Sequence, residues 1–268
     1  MPGVFNALSA RSASDAGATA LYLSGGALTN ANLGVPDIAL ATLTEFAQQA
    51  GYVTAVTQLP VLSDADTGFG EANNVRRTVI EMERAGLAGI HLEDQVSPKR
   101  CGHLDGKALI SAEQMVEKIR SAVAAKRDPD FLLVARTDAR SVDGLGAAID
   151  RARVYVTAGA DAVFPEGLQS EAEFAEFRAV ISVPLLANMT EFGKTPLIPV
   201  SRFAELGYEM VIFPVTAMRA VLKTMDDVYA ELLHSGTQAG MMDRLRTRSE
   251  LYDRLEYDRY GEVGYDGR

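Results

Sequence analysis

Short apolar runs recur along the chain, each followed by a longer stretch in which hydrophobic residues return every three or four positions. The runs read VFNA (4–7), ALYLSG (20–25), PVLSDAD (60–66), GIHLED (89–94), FLLVARTD (131–138), AVFPEG (162–167), PLLANM (184–189) and MVIFPV (210–215). Runs of this length suit buried strands. Between them, Val75, Val79 and Met82 share one helical face in NNVRRTVIEMERAGLAG, and Met115, Ile119 and Val123 do so in SAEQMVEKIRSAVAA. Ser111 and Gln114 stand at capping-box spacing and mark where the second of these helices starts. Alternating strands and helices imply a parallel sheet with right-handed crossovers. Eight such units, with no dinucleotide-type glycine fingerprint after the first strand, favour an α/β fold closed into a (β/α)8 TIM-type barrel. Gly17-Ala18, Ala85-Gly86 and Gly159-Ala160 precede strands, where tight helix–strand turns need small residues.

No linker, repeat or low-complexity run interrupts this pattern. Residues 1–268 read as a single barrel domain, with 235–268 a C-terminal helical and tail extension. RLRTRSELYDR within it reads as a basic helical surface. The acidic, aromatic end DRLEYDRYGEVGYDGR is expected to be extended or packed on a neighbour.

Polar residues fall where the strands end: Asn6, Ser24, Asp64 and Asp66, Glu93 and Asp94, Arg136 and Asp138, Glu166, and Asn188. Barrel enzymes build their sites at this rim, from the ends of several strands. Helix capping would explain any one of these positions, but it does not readily explain the whole set.

Composition narrows the chemistry. A net charge of −10 argues against a nucleic-acid partner. No apolar run approaches the roughly 18 residues of a membrane span. The single cysteine, Cys101, cannot form a disulfide within the chain, and MPGVFNALSAR has neither a basic nor an apolar leader region. The expected location is a reducing cytoplasm.

In DADTGFG, Asp64 and Asp66 stand at i and i+2, which in a strand share a face. Two close carboxylates repel unless one is protonated or a cation sits between them. With Glu93 they offer an oxygen-rich site suited to Mg²⁺; the alternative is a cap for the following helix. Cys101 lies in SPKRCGH between Lys99-Arg100 and His103, where cations favour a thiolate, although lone cysteines are often inert core residues. Ser24-Gly25-Gly26 follows a strand and can aim N–H groups at a carboxylate or oxyanion. Arg136, among apolar neighbours, calls for a substrate carboxylate or a salt bridge to Glu166 or Asp138. NMTEFGKTP (188–196) offers an amide and hydroxyls beside a glycine-containing loop.

Taken together, NALSAR, LYLSGGA, LGVPDIAL, DADTGFG, HLEDQ, PKRCGH, DPDFLLVARTDA, VFPEG, LANMTEFGKTPL, AMRA and TRSELYD resemble the isocitrate lyase/phosphoenolpyruvate mutase superfamily, from about Gly3 to Tyr260. The Lys-Arg-Cys-Gly-His loop resembles its cysteine-bearing lyases. The chain is too short for the segment that enlarges typical isocitrate lyases. The resemblance is therefore closest to the branch that cleaves 2-methylisocitrate to pyruvate and succinate in propionate catabolism, the methylcitrate cycle.

The resemblance implies a Mg²⁺-dependent carbon–carbon lyase, with Mn²⁺ a possible substitute. It puts the metal on Asp64 and Asp66, with Asp37 and Glu93 in support. It implies catalytic roles for Cys101 as proton donor, Glu166 and Arg136. Substrate contacts would come from Ser24, Gly25, Gly26, Cys101, Gly102, His103, Arg136, Glu166, Asn188, Met189, Thr190, Arg219 and Arg248. It also implies closure of the cysteine loop over a tricarboxylate, and a homotetramer exchanging C-terminal helices. Two features depart from the family pattern: no helix precedes the first strand, and GEVGYDGR differs from the usual tail. Alternatives are a sister activity on isocitrate, oxaloacetate or 2,3-dimethylmalate, and a catalytically silent dicarboxylate-binding barrel.

Overall fold

In the computed structural model, which describes residues 1–261, each apolar run overlaps a strand shorter than the run itself. The strands are β1 (Gly3–Val4), β2 (Leu21–Leu23), β3 (Val61–Asp64), β4 (Gly89–Glu93), β5 (Leu132–Thr137), β6 (Ala162–Pro165), β7 (Leu186–Asn188) and β8 (Met210–Ile212). The helices are α1 (Ala7–Asp15), α2 (Gly25–Leu28), α3 (Leu43–Thr54), α4 (Ala72–Arg84), α5 (Ala112–Ala125), α6 (Leu145–Thr157), α7 (Glu171–Val180), α8 (Val200–Glu205), α9 (Thr216–Ser235), α10 (Arg248–Arg254) and α11 (Tyr257–Gly261).

All strand pairs are parallel. β1 to β6 form one sheet in sequence order, and β7 pairs with β8. Two bridges close the ring: Val163 with Leu185 joins β6 to the run of β7, and Pro2 with Phe213 joins the run of β8 back to β1. Gly3 N–H donates to the Phe213 carbonyl at 2.9 Å, and Phe213 N–H donates to that of Met1 at 3.1 Å. The expected closed (β/α)8 barrel is thus formed.

Strand parity sorts the side chains. Tyr22, Leu62, Val134, Ala162, Phe164, Leu186 and Ile212 fill the barrel interior. Their neighbours one residue away, such as Leu21, Leu23, Val61, Ile90, Leu92, Leu133 and Ala135, pack outward under the helices. Successive side chains on a strand point to opposite faces. The inward row, continued to each strand's C-terminal end, therefore arrives at Ser24, Asp64, Glu93, Arg136, Glu166 and Asn188. The outward row arrives at Asp94, Thr137 and Met189.

Two expectations are corrected here. Asn6 is the N-cap of α1, its side chain accepting from Ser9 N–H at 2.8 Å. On α5, Met115 and Ile119 are buried as expected and the Ser111–Gln114 capping box forms, but Val123 is 37% exposed. Eight residues at 3.6 per turn overshoot the face by roughly 80°, whereas seven return to it. The buried face runs through Met115, Lys118, Ile119 and Ala122, and so includes a lysine. Gly17, Gly86 and Gly159 take φ of +88°, +82° and +110°, as the tight helix–strand turns require.

Residues 1–218 form one compact unit and the chain from Arg219 a second, a division that falls inside α9. In the second unit Thr247 caps α10 through a capping box with Glu250. The C-terminal end, expected to be extended or packed on a neighbour, is helical in α10 and again in α11, to Gly261; 262–268 lie outside the described residues.

Asp94, facing outward from the end of β4, is a structural strut. Its carboxylate accepts from Asp138 N–H (2.9 Å), Thr137 Oγ1 (2.8 Å), Tyr155 Oη (2.8 Å) and Arg151 Nη1 (3.2 Å). Removing one partner of a buried charged network costs about 3–5 kcal/mol. Asp94→Ala is expected to lower unfolding free energy by about that much in urea titration; a loss under about 1 kcal/mol would show that Asp94 is not a strut.

Candidate active site

The inward-facing ends of the strands make a charged mouth. Asp64 closes β3, but the paired aspartates do not meet through strand alternation as the sequence suggested. Asp66 lies beyond the strand, in the left-handed region at φ +45°, and its N–H donates to Asp64 Oδ1 at 2.9 Å. Both are buried. Gly25 and Gly26 lie against this pair and its neighbour: a Cβ on Gly25 would sit 2.6 Å from Asp64 Oδ2, and one on Gly26 3.2 Å from Asp37 Oδ2. At Gly25 a side chain would force the Asp64 carboxylate to shift, whereas at Gly26 it would meet Asp37 in a tight contact. Ser24 caps the turn that follows, accepting from Ala27 N–H.

Arg136 is the central cation. Nη1 lies 3.1 Å from Glu93 Oε2, Nε donates to Asp138 Oδ2 at 2.9 Å, and Nη2 lies 3.6 Å from Glu166 Oε2. Its guanidinium also stacks over Phe164, 5.2 Å from the ring centre. The two readings of Arg136 therefore meet in one place, since the salt bridges line the mouth itself. Beneath them in the barrel, Tyr22 Oη and His91 Nε2 lie 2.8 Å apart, and Nε2 is 3.6 Å from Asp64 Oδ1.

Burial and neighbouring charge pull the acids apart. Burial, reinforced by Asp64 and Asp37 against the attraction of Lys99, pushes Asp66 up to about 7. Burial also pushes Glu93 well up, against the pull of Arg136 and Lys99. Burial works to raise Glu166 too, but there Arg136, His103 and Asn188 prevail and hold it well below the usual carboxylate range. Burial lowers His91 to about 4, which leaves the ring neutral near pH 7.

The segment after β4 folds down onto this mouth. Lys99 is buried, with Nζ 2.5 Å from Asp37 and 2.9 Å from Asp66. Gly102 packs so closely that a Cβ would lie 2.5 Å from both Arg136 Nη2 and Glu166 Cγ. Lys107 Nζ donates to the Gly102 carbonyl and pairs with Asp138 at 2.9 Å. His103 Nδ1 accepts from Lys194 N–H at 3.1 Å, which leaves the proton on Nε2, 3.0 Å from Glu166 Oε1. Asn188 donates to Glu166 Oε2 at 3.1 Å. Cys101, between these anchors, is exposed. Of the two cations expected beside its thiol, Lys99 is turned to the acids instead.

Most of the sequence-derived set therefore converges: Ser24, Gly25, Gly26, Asp37, Asp64, Asp66, Glu93, Gly102, His103, Arg136, Glu166 and Asn188. Met189 has outward parity. Its side chain sits in the outer core and its sulfur accepts from Ile198 N–H. Thr190 is half-buried. Arg219 and Arg248 belong to the second unit. Sequence reading missed Tyr22, His91, Lys99 and Lys107 as site residues, and had Asp138 only among the polar strand ends. The parity of Ser24 and Glu93 could have flagged Tyr22 and His91, two positions earlier on the same strands. The lysines carry no such signal.

The donor set fits a hard divalent cation. Asp66 Oδ1 and both Glu93 carboxylate oxygens are buried without a hydrogen-bond partner, although cationic side chains lie near. Among the described residues no three carboxylate, imidazole or thiol groups converge as ready ligands.

Comparison with known proteins gives a consistent picture. The family model described as phosphoenolpyruvate phosphomutase matches residues 1–233. A 2-methylisocitrate lyase of Aeropyrum pernix is 56% identical over 259 residues, covering 97% of this chain and 83% of that protein. The crystal structure of 2,3-dimethylmalate lyase, a PEP mutase/isocitrate lyase superfamily member, superposes with a TM-score of 0.93 at 34% identity, covering 99% of this chain and 91% of the other. A phosphonopyruvate hydrolase complexed with oxalate and Mg²⁺ superposes at 0.87 with 28% identity, covering 97% and 90%.

Gly102 makes the docking of the loop testable. Gly102→Ala is expected to expose Lys99 and Arg100 to trypsin, raising the cleavage rate at least several-fold, while changing unfolding free energy by no more than about 0.5 kcal/mol. An unchanged cleavage rate would show that the close approach does not hold the loop.

Proposed function

The chain belongs to the phosphoenolpyruvate phosphomutase family, and we propose that it is a carbon–carbon lyase cleaving 2-methylisocitrate to pyruvate and succinate. The observation that carries this reading is the junction of two chemistries in one mouth. Buried carboxylate oxygens that lack a hydrogen bond adjoin a cluster of anion-binding groups, beneath a docked loop that bears the chain's only cysteine. Near full-length similarity to a 2-methylisocitrate lyase supports the choice of substrate.

Asp64 and Asp66 would hold Mg²⁺, or Mn²⁺ in its place, with Asp37 and Glu93 supporting through water. When bound, the cation supplies Lewis-acid polarisation of the substrate's hydroxyl and adjacent carboxylate. The N–H groups of Gly25 and Gly26 at the start of a helical turn suit one substrate carboxylate. Arg136, Asn188 and Thr190 suit a second. Loss of the hydroxyl proton, taken by Glu166 or by a water in the mouth, drives a retro-aldol cleavage. The electrons of the hydroxyl O–H bond form the carbonyl of pyruvate, and those of the broken C–C bond pass to the succinate carbon. The Cys101 S–H then gives its proton to that carbon, leaving a thiolate. This requires the exposed Cys101 to turn inward over bound substrate, between the docked Lys99 and Gly102. Arg136, His103 and Asn188 hold the proton affinity of Glu166 down, and Glu166 in turn orients all three. Gly102 and His103 exclude water from the carbanion by covering the mouth.

We also assign the protein to the cytoplasm, in keeping with its single cysteine; no helix among the described residues is long and apolar enough to cross a membrane. A homotetramer exchanging C-terminal helices would cover Val221, Leu222, Met225, Tyr229 and Leu233, all exposed along α9. Sedimentation velocity is expected to show a tetramer; a monomer at micromolar concentration would remove that assembly.

A turnover panel with Mg²⁺ tests the activity. 2-Methylisocitrate is expected to react fastest, ahead of isocitrate by about the 10- to 200-fold that one methyl group commands. Cys101→Ser is expected to lower kcat at least about 100-fold while still binding pyruvate and succinate. Turnover of oxaloacetate or 2,3-dimethylmalate alone would replace the substrate assignment, and full activity in Cys101→Ser would remove the thiol as proton donor.

A further inference from the structure

Three consecutive carbonyls of the turn that carries Asp66 are each held by a donor from a different element. The Asp66 carbonyl accepts from Glu93 N–H on β4 at 3.0 Å. The Gly68 carbonyl accepts from Thr78 Oγ1 on α4 at 3.0 Å. Between them, the Thr67 carbonyl accepts from Lys118 Nζ on α5 at 2.9 Å. A backbone amide and a threonine hydroxyl are ordinary partners for a carbonyl, but a buried lysine is not. Lys118 is 5% exposed and lies on the apolar face of α5 beside Met115, Ile119 and Ala122. Burial pulls its proton affinity down, with Glu71 countering in part. An ammonium taken out of water toward a neutral oxygen is a costly way to fill a helix face that methionine or leucine would fill better.

The turn needs outside support. Asp66 and Phe69 stand at φ +45° and +57°, Gly68 and Gly70 at +90° and +140°. Left-handed conformations in non-glycine residues persist where the surroundings over-determine them. Within the turn itself, Asp66 N–H to Asp64 Oδ1 and Gly68 N–H to the Ala65 carbonyl at 2.8 Å supply part of that constraint. The first of these uses a carboxylate oxygen that a cation would also claim.

We propose that Lys118 is a positioning residue for the acidic mouth: its ammonium fixes the Thr67 carbonyl, and together with Thr78 and the Glu93 N–H it locks the backbone that aims the Asp66 carboxylate beside Asp64. Lys118 touches neither substrate nor cation. Its effect reaches the site through the orientation of one peptide group, as supporting groups commonly tune metal sites. The inference rests on the reading of Asp64 and Asp66 as cation ligands, and the test separates the two.

Lys118→Met and Lys118→Arg are compared with the parent protein by three measurements: Mn²⁺ titration calorimetry, thermal unfolding, and amide hydrogen exchange over residues 64–70. Lys118→Met is expected to bind Mn²⁺ about 10- to 100-fold more weakly, with faster exchange concentrated in the turn, and Lys118→Arg to restore both. A lowered melting temperature with unchanged Mn²⁺ affinity and unchanged exchange in the turn would reduce Lys118 to a packing residue and overturn the proposal. If the parent protein takes up no Mn²⁺, the cation reading fails, and the exchange measurement still judges the clamp. Should Lys118→Met not fold, Lys118→Gln, which keeps a donor but loses charge and reach, carries the same comparison.

Discussion

Packing carboxylates together out of water is the constraint around which this molecule is arranged. Asp64, Asp66, Glu93, Asp138 and Glu166 are all buried at one end of a single barrel, with Asp37 at their edge. Buried charges of one sign survive only if they are protonated or answered by the other sign. The fold answers with Arg136 between Glu93, Asp138 and Glu166, Lys99 between Asp37 and Asp66, and Lys107 on Asp138. The compensation is incomplete, since oxygens of Asp66 and Glu93 remain without hydrogen bonds. That residual demand is what a divalent cation would meet.

Two of the three compensating cations, Lys99 and Lys107, arrive on one loop. The electrostatics of the mouth and the position of the lid are therefore a single problem. Docking Lys99 and Lys107 neutralises acids, and the same movement presses Gly102 against Arg136 and Glu166 and sets His103 on Glu166. A loop held by charge rather than by apolar burial can be released when the charge balance of the mouth changes, as it does when an anionic substrate and a cation enter. Cys101 stands exposed between these anchors, so a small rotation within a docked loop, rather than a large closure, is what the proposed proton transfer asks of it.

Strand parity divides the work at the rim. On β4, Glu93 turns into the mouth while Asp94, one residue on, ties β4 to β5 and α6 from outside. On β7, Asn188 reaches Glu166 while Met189 joins the outer core. Adjacent polar or motif residues thus line the mouth and brace the frame separately, which lets the mouth carry strain and uncompensated charge on a rigid frame.

The eight-strand rhythm, the helices between the strands, the rim position of the polar residues and the likeness of PKRCGH and DADTGFG to a lyase family were all written in local pattern, because side-chain periodicity and strand-end chemistry are properties of neighbours in sequence. What local pattern left undecided was every pairing across the barrel. Asp66 meets Asp64 through a left-handed turn rather than a pleat, Lys99 faces acids rather than a thiol, and Lys118 sits on the helix face that Met115 and Ile119 marked. These outcomes depend on which elements become neighbours once the sheet closes. A charge can be buried only where partners distant in the chain are brought to meet it, and the sequence names those partners without saying which of them will touch.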